Sequence, residues 1–490
     1  TNAQEVFKLT GTVFNENNEQ LSNATVKLLD TKIATATDSN GYFEFKVKKG
    51  SYYIEVSYIG YESKMQHIEV VNSNQKINFH IVPSTEKLNE VLVSAVRVKS
   101  SSPVTHSNIS KEALAKRNLG QDIPYLINQM PSVISSSDAG AGIGYTYLRI
   151  RGSDDTRINV TVNGFPMNNP ESHGTFFINL GDLASSTQNI QVQRGVGTST
   201  NGSGAFGASL NLLTDAVSEK SFGEISSSIG SYNTYKNTVK FSTGLINNNI
   251  EIAGRFSKID SDGYVDRAFS DLKTYYLHGA YKDENTLVKA ITFGSEEYTY
   301  QAWYGLSKEQ LEENRQQNPY TYDNETDNYW QDHYQLHWSE RYNNNWSSNL
   351  AFNYTRGKGY FEQFKEEESA EDFNNLIADD SDVIVRRWLD NHFYALNASL
   401  NYKNSSLNII FGTSWNKYLG DHFGEVIWGS DLASKVSRLP LDKPVYVYCD
   451  TGQLSSQAVV LLRLLGIDAY SIYEGFTNAQ IYRCKKYLEI

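Results

Sequence analysis

The sequence predicts a mainly β chain: an N-terminal β-sandwich, a central α+β domain, a partial antiparallel transmembrane β-barrel and a short α/β tail. Three observations lead there. Only 39% of the 490 residues are hydrophobic while 13% are aromatic, with 33 Tyr and 22 Phe. That balance suits strands that alternate lipid-facing and lumen-facing side chains. From Phe222 to Trp428 the strand patterns are long and amphipathic, and short Asn-rich turns alternate with long polar connections. After about Trp428 the composition changes to apolar strand and helix patterns. The longest apolar run, Ala458–Leu465, is broken by Arg463 and is too short for a membrane-spanning helix. The net charge of −12 excludes nucleic acid as a partner class. Both cysteines, Cys449 and Cys484, lie in the last 42 residues, so the first 448 hold no disulfide or cysteine metal site.

Residues 1–86 read as short strands: Lys8–Val13, Thr25–Leu29, Tyr42–Val47 and Ser51–Tyr58, with turns at Asn15–Asn18, Asp38–Gly41 and Lys48–Gly50. Thr1-Asn2-Ala3-Gln4 has the small, polar character of residues near a signal-peptide cleavage point. Asp38-Ser39-Asn40-Gly41 is a tight turn feeding the aromatic strand Tyr42-Phe43. The segment resembles a carboxypeptidase regulatory-like domain, a small β-sandwich, and we expect a recognition or spacer module. His67 and His80 are lone histidines in strand patterns and read as core or surface rather than metal ligands.

Residues 87–99 contain Leu88-Asn89-Glu90-Val91-Leu92-Val93-Ser94-Ala95, a β-prone apolar segment ahead of the serines at 100–102. Such a segment can add as a strand to a partner's sheet edge; the plainer reading is a last sandwich strand or a linker. Between Ser110 and Met130 a helical pattern opens with Ser110 as N-cap and Glu112 in the first turn. Pro124 breaks it, and a second short helix follows over Tyr125–Met130. The glycines at 140, 142 and 144 lack the strand-before, helix-after context of a phosphate cradle.

Residues 100–216 are organised by two glycine-arginine turns. Tyr147–Ile150 leads into Arg151-Gly152 and then Val160-Thr161-Val162-Asn163-Gly164. Ile190–Gln193 leads into Arg194-Gly195, a turn containing Gly202, Gly204 and Gly207, and then Leu210–Thr214. This ordered pair resembles the plug of TonB-dependent outer-membrane receptors. The resemblance covers residues 88–215 and places that family's TonB box at Glu90, Val91, Leu92 and Val93. It implies an outer-membrane receptor with its N-terminal domain in the periplasm. TonB would drive uptake of a scarce iron complex or siderophore-like ligand through outer-membrane lipid, with no cofactor and no bound metal of its own. In that picture barrel carboxylates hold Arg151 and Arg194, and an ion pair shielded inside a barrel acts as a latch; simple turn capping is the alternative. Gly152, Gly195, Gly202 and Gly204 would supply backbone angles barred to other residues. An oligosaccharide or peptide importer of the same architecture is the rival reading. Ala95-Val96-Arg97 after the box looks closer to the iron branch.

In residues 217–429 about nine strands are legible. Ile250, Ile252, Gly254 and Phe256 share one face, and His392, Tyr394, Leu396, Ala398, Leu400 and Tyr402 another. A plugged transporter barrel has 22 strands. At roughly ten residues each they need about 220 residues before any loop. Phe222–Trp428 provides 207 including long loops, so the barrel is partial. In residues 430–490, the strand Pro444–Tyr448, a loop from Cys449, the helix Ser456–Leu465 and the strand Ala469–Tyr473 form a βαβ unit. This resembles the second half of a rhodanese domain, whose cysteine carries a persulfide, and Cys449 stands at that place. Leu454 occupies the position usually held by Arg and the first half of the domain is absent, so we expect no enzyme activity. The change at Trp428–Asp431 reads as a join between two partial sequences.

Overall fold

The computed structural model describes residues 6–81, 97–98, 104–196 and 204–430, apart from 16, 17, 30, 32, 59, 60, 62, 344, 374–376, 405 and 406. In the tail it describes 439, 442–447, 458, 459, 462, 463 and 467–471. The chain divides into two compact units: residues 1–318, 330–357 and 391–420, and residues 319–329, 358–390 and 421–490.

The N-terminal sandwich forms as the alternation predicts. Its strands are β1 (Val6–Phe14), β2 (Thr25–Leu28), β3 (Ala34–Ala36), β4 (Tyr42–Lys48), β5 (Gly50–Ser57), β6 (Lys64–Val70), β7 (Gln75–Lys76) and β8 (Phe79–His80). One sheet runs β4-β1-β7 with β8 also on β1, and the other β3-β2-β5-β6. Phe43, Phe45 and Val47 point into a core shared with Leu9, Val26, Ile54 and Phe79, and Tyr42, Glu44 and Lys46 alternate outward. The Asp38 carboxylate accepts the Asn40 and Tyr42 amides, each at 2.9 Å, which closes the turn before β4. His67 pairs with Ser51 and lies against Tyr53, while His80 stacks on Phe14. Among the described residues no group of three His, Cys, Asp or Glu is arranged to hold a metal ion.

The central domain holds β9 (His106–Ser110), β10 (Val133–Ser137), β11 (Thr146–Ile150), β12 (Ile158–Val162), β13 (Phe165–Pro166), β14 (Thr187–Arg194) and β15 (Ala208–Thr214). Five of these form a sheet in the order β13-β12-β15-β14-β9, and β10 pairs with β11. Two short helices differ from the expected ones. Helix α1 covers only Lys111–Ala115, capped by the Ser110 hydroxyl accepting from the Ala113 amide. Helix α2 covers Ile123–Ile127 and contains Pro124 in its first turn instead of stopping there. A first-turn proline costs no hydrogen bond, because the amide it lacks has no intrahelical acceptor.

Nine antiparallel strands follow: β16 (Phe222–Gly230), β17 (Thr234–Ser242), β18 (Ile250–Ser261), β19 (Ser270–Lys282), β20 (Thr286–Tyr300), β21 (Thr326–Arg341), β22 (Trp346–Glu368), β23 (Ser381–Lys403) and β24 (Asn408–Gly429). They pair in sequence order, and β16 and β24 remain the two edges, so the barrel-type sheet is not closed. The alternation is inverted relative to a soluble protein. On β18, Ile250, Ile252 and Phe256 are 46%, 52% and 52% exposed, while Glu251 and Arg255 are each 1% exposed. Apolar outside and polar inside is the pattern of a barrel wall in lipid. No helix among the described residues is long and apolar enough to cross a membrane.

In the second unit, Glu362 is buried and accepts from the Tyr322 hydroxyl, the Asn324 amide and Arg386, and Arg386 also lies over the Tyr360 ring. The tail strands β25 (Val445–Val447) and β26 (Ala469–Ser471) pair in parallel, as a βαβ unit requires. Val445, Val447 and Leu462 pack against a small buried cluster of Val459, Ile467 and Ala469. Cys449 and Leu454 lie outside the described residues.

Candidate functional site

The site is the seam where the central domain meets the inner face of β17–β21 and β23. An apolar contact builds it first. Tyr276 on β19 and Ile291 and Phe293 on β20 join the central core with Phe177, Leu180, Leu183, Ile190 and Leu212. Gly181 brings the domain's backbone against this wall. A Cβ there would lie 2.7 Å from the Thr274 methyl and 3.3 Å from the Ser295 hydroxyl, so close approach, not φ, demands glycine.

Asp182 follows, in the left-handed region at φ 48°. Its carboxylate is fully buried between Lys236 at 2.6 Å and Arg255 at 3.0 Å. Asn118 and Ser185 donate to one oxygen, and Thr238 and Ser257 to the other. Burial alone would raise the Asp182 pKa, but the charges of Arg255 and Lys236 hold it well below the usual carboxylate range. Arg255 also donates to Ser186, Ser257 and Thr274.

Asp215, just past β15, anchors the second half of the seam. It pairs with Lys111 at 2.8 Å and with Lys240, and its carbonyl accepts from Lys289. Burial opposes its charge, and Lys240 and Lys111 override that and lower its pKa. The two anchors are joined through backbone, since the Asp215 amide donates to Ser186 O at 2.9 Å. Beside them Glu251 accepts from Ser242 and pairs with His278.

Asn163 and Gly164 form the third contact. Asn163 sits at φ 53° and Gly164 at φ 84°. The Asn163 amide oxygen accepts the Thr214 amide and hydroxyl, and its nitrogen donates to Gln335 on β21 at 2.9 Å. Asn397 on β23 donates to Gly164 O, and Phe165 lies against His337.

Among the described residues, neither Arg194 nor Arg151 pairs with a wall carboxylate. Arg194 donates to Pro131 O at 2.8 Å and to the Ser107 hydroxyl at 3.0 Å, both within its own domain. Arg151 is exposed, in the left-handed region at φ 52°, and its side chain makes no ion pair among the described residues. The wall side chains that meet the domain's carboxylates at the seam are Lys236, Lys240 and Arg255, and the wall carboxylate beside them, Glu251, is taken by Ser242 and His278. Gly152, Gly195 and Gly204 have φ of 81°, 89° and 84°, angles that favour glycine. Gly202 and the segment Glu90, Val91, Leu92 and Val93 lie outside the described residues. Asp182 and Asp215 escaped the sequence reading. The only local sign was a glycine-acid-small-residue run, Gly181–Ser186, between the two arginine motifs.

At one end of the domain, the loop from Asp138 to Tyr145 meets the wall connection 262–269. The Tyr264 amide donates to Ala139 O at 2.7 Å, and Tyr145 sets its ring edge against Trp303. Nearby Asp122 is buried, its carboxylate accepting from the Thr146 hydroxyl at 2.9 Å, and burial pushes its pKa up to about 8. Asp138, bonded by the Tyr147 hydroxyl, is pushed up to about 6 for the same reason.

Residues 9–93 match the CarboxypepD_reg-like domain family and residues 98–209 the TonB-dependent Receptor Plug Domain family. No curated protein sequence matches the chain. Among solved structures, pyoverdine-bound FpvA of P. aeruginosa is similar over 69% of this chain and 45% of its own, at 12% identity and a TM-score of 0.53. BauA, the ferric preacinetobactin receptor of Acinetobacter baumannii, is similar over 66% and 48%, at 12% identity and 0.51. The copper transporter OprC is similar over 65% and 47%, at 11% identity and 0.50. The chain thus spans a little under half the length of the receptors whose fold it shares.

Proposed function

We propose that this chain, a TonB-dependent receptor plug behind a CarboxypepD_reg-like domain and against a barrel-type wall, serves energised uptake across the outer membrane. Its ligand is an iron complex of the siderophore type. The observation that carries this reading is the buried seam at Asp182 and Asp215: a domain held by ion pairs against the polar face of an amphipathic sheet fits a stopper in a wall. The plug closes the lumen at rest, and tension from TonB on the segment Glu90–Val93 shifts it.

The longest connections refine the ligand. Residues 262–269, 301–325 and 369–380 hold eleven carboxylates against three cations, Arg267, Lys308 and Arg315. Field complementarity favours a neutral or cationic complex over a polyanionic one. The test is growth of cells with and without the gene under iron starvation and, separately, on glycans or peptides as sole carbon source. A defect confined to iron starvation supports the reading, and a defect confined to glycans or peptides transfers it to the importer alternative. Replacing Glu90–Val93 by glycine is expected to abolish crosslinking to TonB.

A further inference from the structure

We propose that Gln191 clasps the segment entering the plug and delivers tension on that segment to the Asp182 seam. The inference rests on the uptake reading for its purpose, but the clasp itself stands on geometry. Gln191 lies on β14 and is 2% exposed. Its amide oxygen accepts the Val98 backbone N–H at 2.9 Å, and its amide nitrogen donates to the Val98 carbonyl at 3.0 Å. One side chain thereby reads both backbone groups of a single residue, as a neighbouring strand would. The remaining capacity is used by Asn108, which accepts at 2.9 Å, and Gln193, which donates at 3.0 Å. All four hydrogen-bonding positions of the amide are filled. Arg97 next door donates to Asn189 on the same strand.

The placement decides where a pull arrives. Without the clasp, only the Arg97 side chain on Asn189 would tie the entering segment to β14, and the first backbone contact with the sheet would be the Thr105 carbonyl, which accepts the Arg194 amide beside the edge strand β9; an edge strand can be peeled one pair at a time. With it, tension enters β14, an inner strand of the five. From Gln191 back to Thr187 the strand spans roughly 13 Å. Thr187 continues directly into Ser186–Asp182, the turn tied to Lys236, Lys240 and Arg255. The β9 route ends at the same seam, because Lys111 follows β9 and pairs with Asp215. Both routes converge on the seam, and the clasp makes the inner one primary. Gln191 is a positioning residue and touches no ligand.

The test is hydrogen exchange and tryptic cleavage on the full chain, with the Ile190 and Val192 amides reporting that β14 stays folded. Gln191→Leu is expected to speed exchange of the Val98 amide at least tenfold and cleavage after Arg97 by a similar factor. Gln191→Glu, which keeps an acceptor for the Val98 amide, is expected to fall between. Unchanged Val98 exchange in Gln191→Leu with β14 still protected overturns the clasp. In cells, Gln191→Leu is expected to lose uptake of the iron complex while binding it at wild-type affinity. Full uptake would overturn the force route. Loss of iron uptake by the wild-type gene product as well, with Val98 still protected, would instead strike the receptor reading and leave the clasp standing.

Discussion

Replacing Asp182 by alanine removes the one carboxylate that faces both Lys236 and Arg255, whose side chains are 5% and 1% exposed. Two cations are then left in a nearly dry seam. Deleting one partner of a buried pair costs about 3–5 kcal/mol, because the survivor keeps its desolvation penalty. At about 1.4 kcal/mol per tenfold, opening of the seam should rise roughly 150- to 5,000-fold. The assay is native-state hydrogen exchange at the Ser185 amide, which donates to Asp182 O, and the Asp215 amide, which donates to Ser186 O. Both should exchange faster by that factor, while amides in the N-terminal sandwich stay unchanged. The triple change Asp182→Leu, Lys236→Met and Arg255→Met should recover most of the protection, since an apolar replacement of a whole buried cluster is about neutral. Less than a threefold change in Asp182→Ala would refute the claim that the seam is held by charge.

Three further outcomes are expected. Folded Asp122 keeps its proton up to about pH 8, whereas the unfolded carboxyl loses it near pH 4, at about 3.9. Between those values the folded state binds one proton more, so its contribution is whole below about pH 4 and is lost as pH rises toward 8. Asp122→Asn should flatten the urea-unfolding profile over pH 5–8 by up to about 1.4 kcal/mol per pH unit, and superimposable profiles would remove Asp122 as the cause. Gly181→Ala should cost about 1–3 kcal/mol by driving a methyl into Thr274, and Thr274→Ser, which deletes only that methyl, should restore the midpoint in the double variant. A cyanide–thiosulfate assay on the full chain should show no turnover; turnover lost on Cys449→Ser would overturn the expectation that the tail is inactive.

How much was legible followed from how local each signal is. Ile250, Ile252 and Phe256 announce a strand with an apolar outer face because alternation is a property of neighbours along the chain. Asn163-Gly164 and Arg151-Gly152 announce turns because positive φ is demanded by the local backbone. The end of α1 was less legible: its pattern continues past Ala115, but the chain turns at Lys116 to place Asn118 on Asp182.

Taken alone, the sequence determined the order of modules, the nine amphipathic strands and the paired glycine-arginine turns, all of which are encoded within a few residues of one another. Only the tertiary structure decided which charges meet. Asp182 finds Lys236 and Arg255 across 54 and 73 positions of chain, through a sheet register that no local pattern specifies. The pairing at the seam, Asp182 and Asp215 of the central domain with Lys236, Lys240 and Arg255 of the wall, therefore came from folding, because an ion pair belongs to two distant backbones and is written in neither.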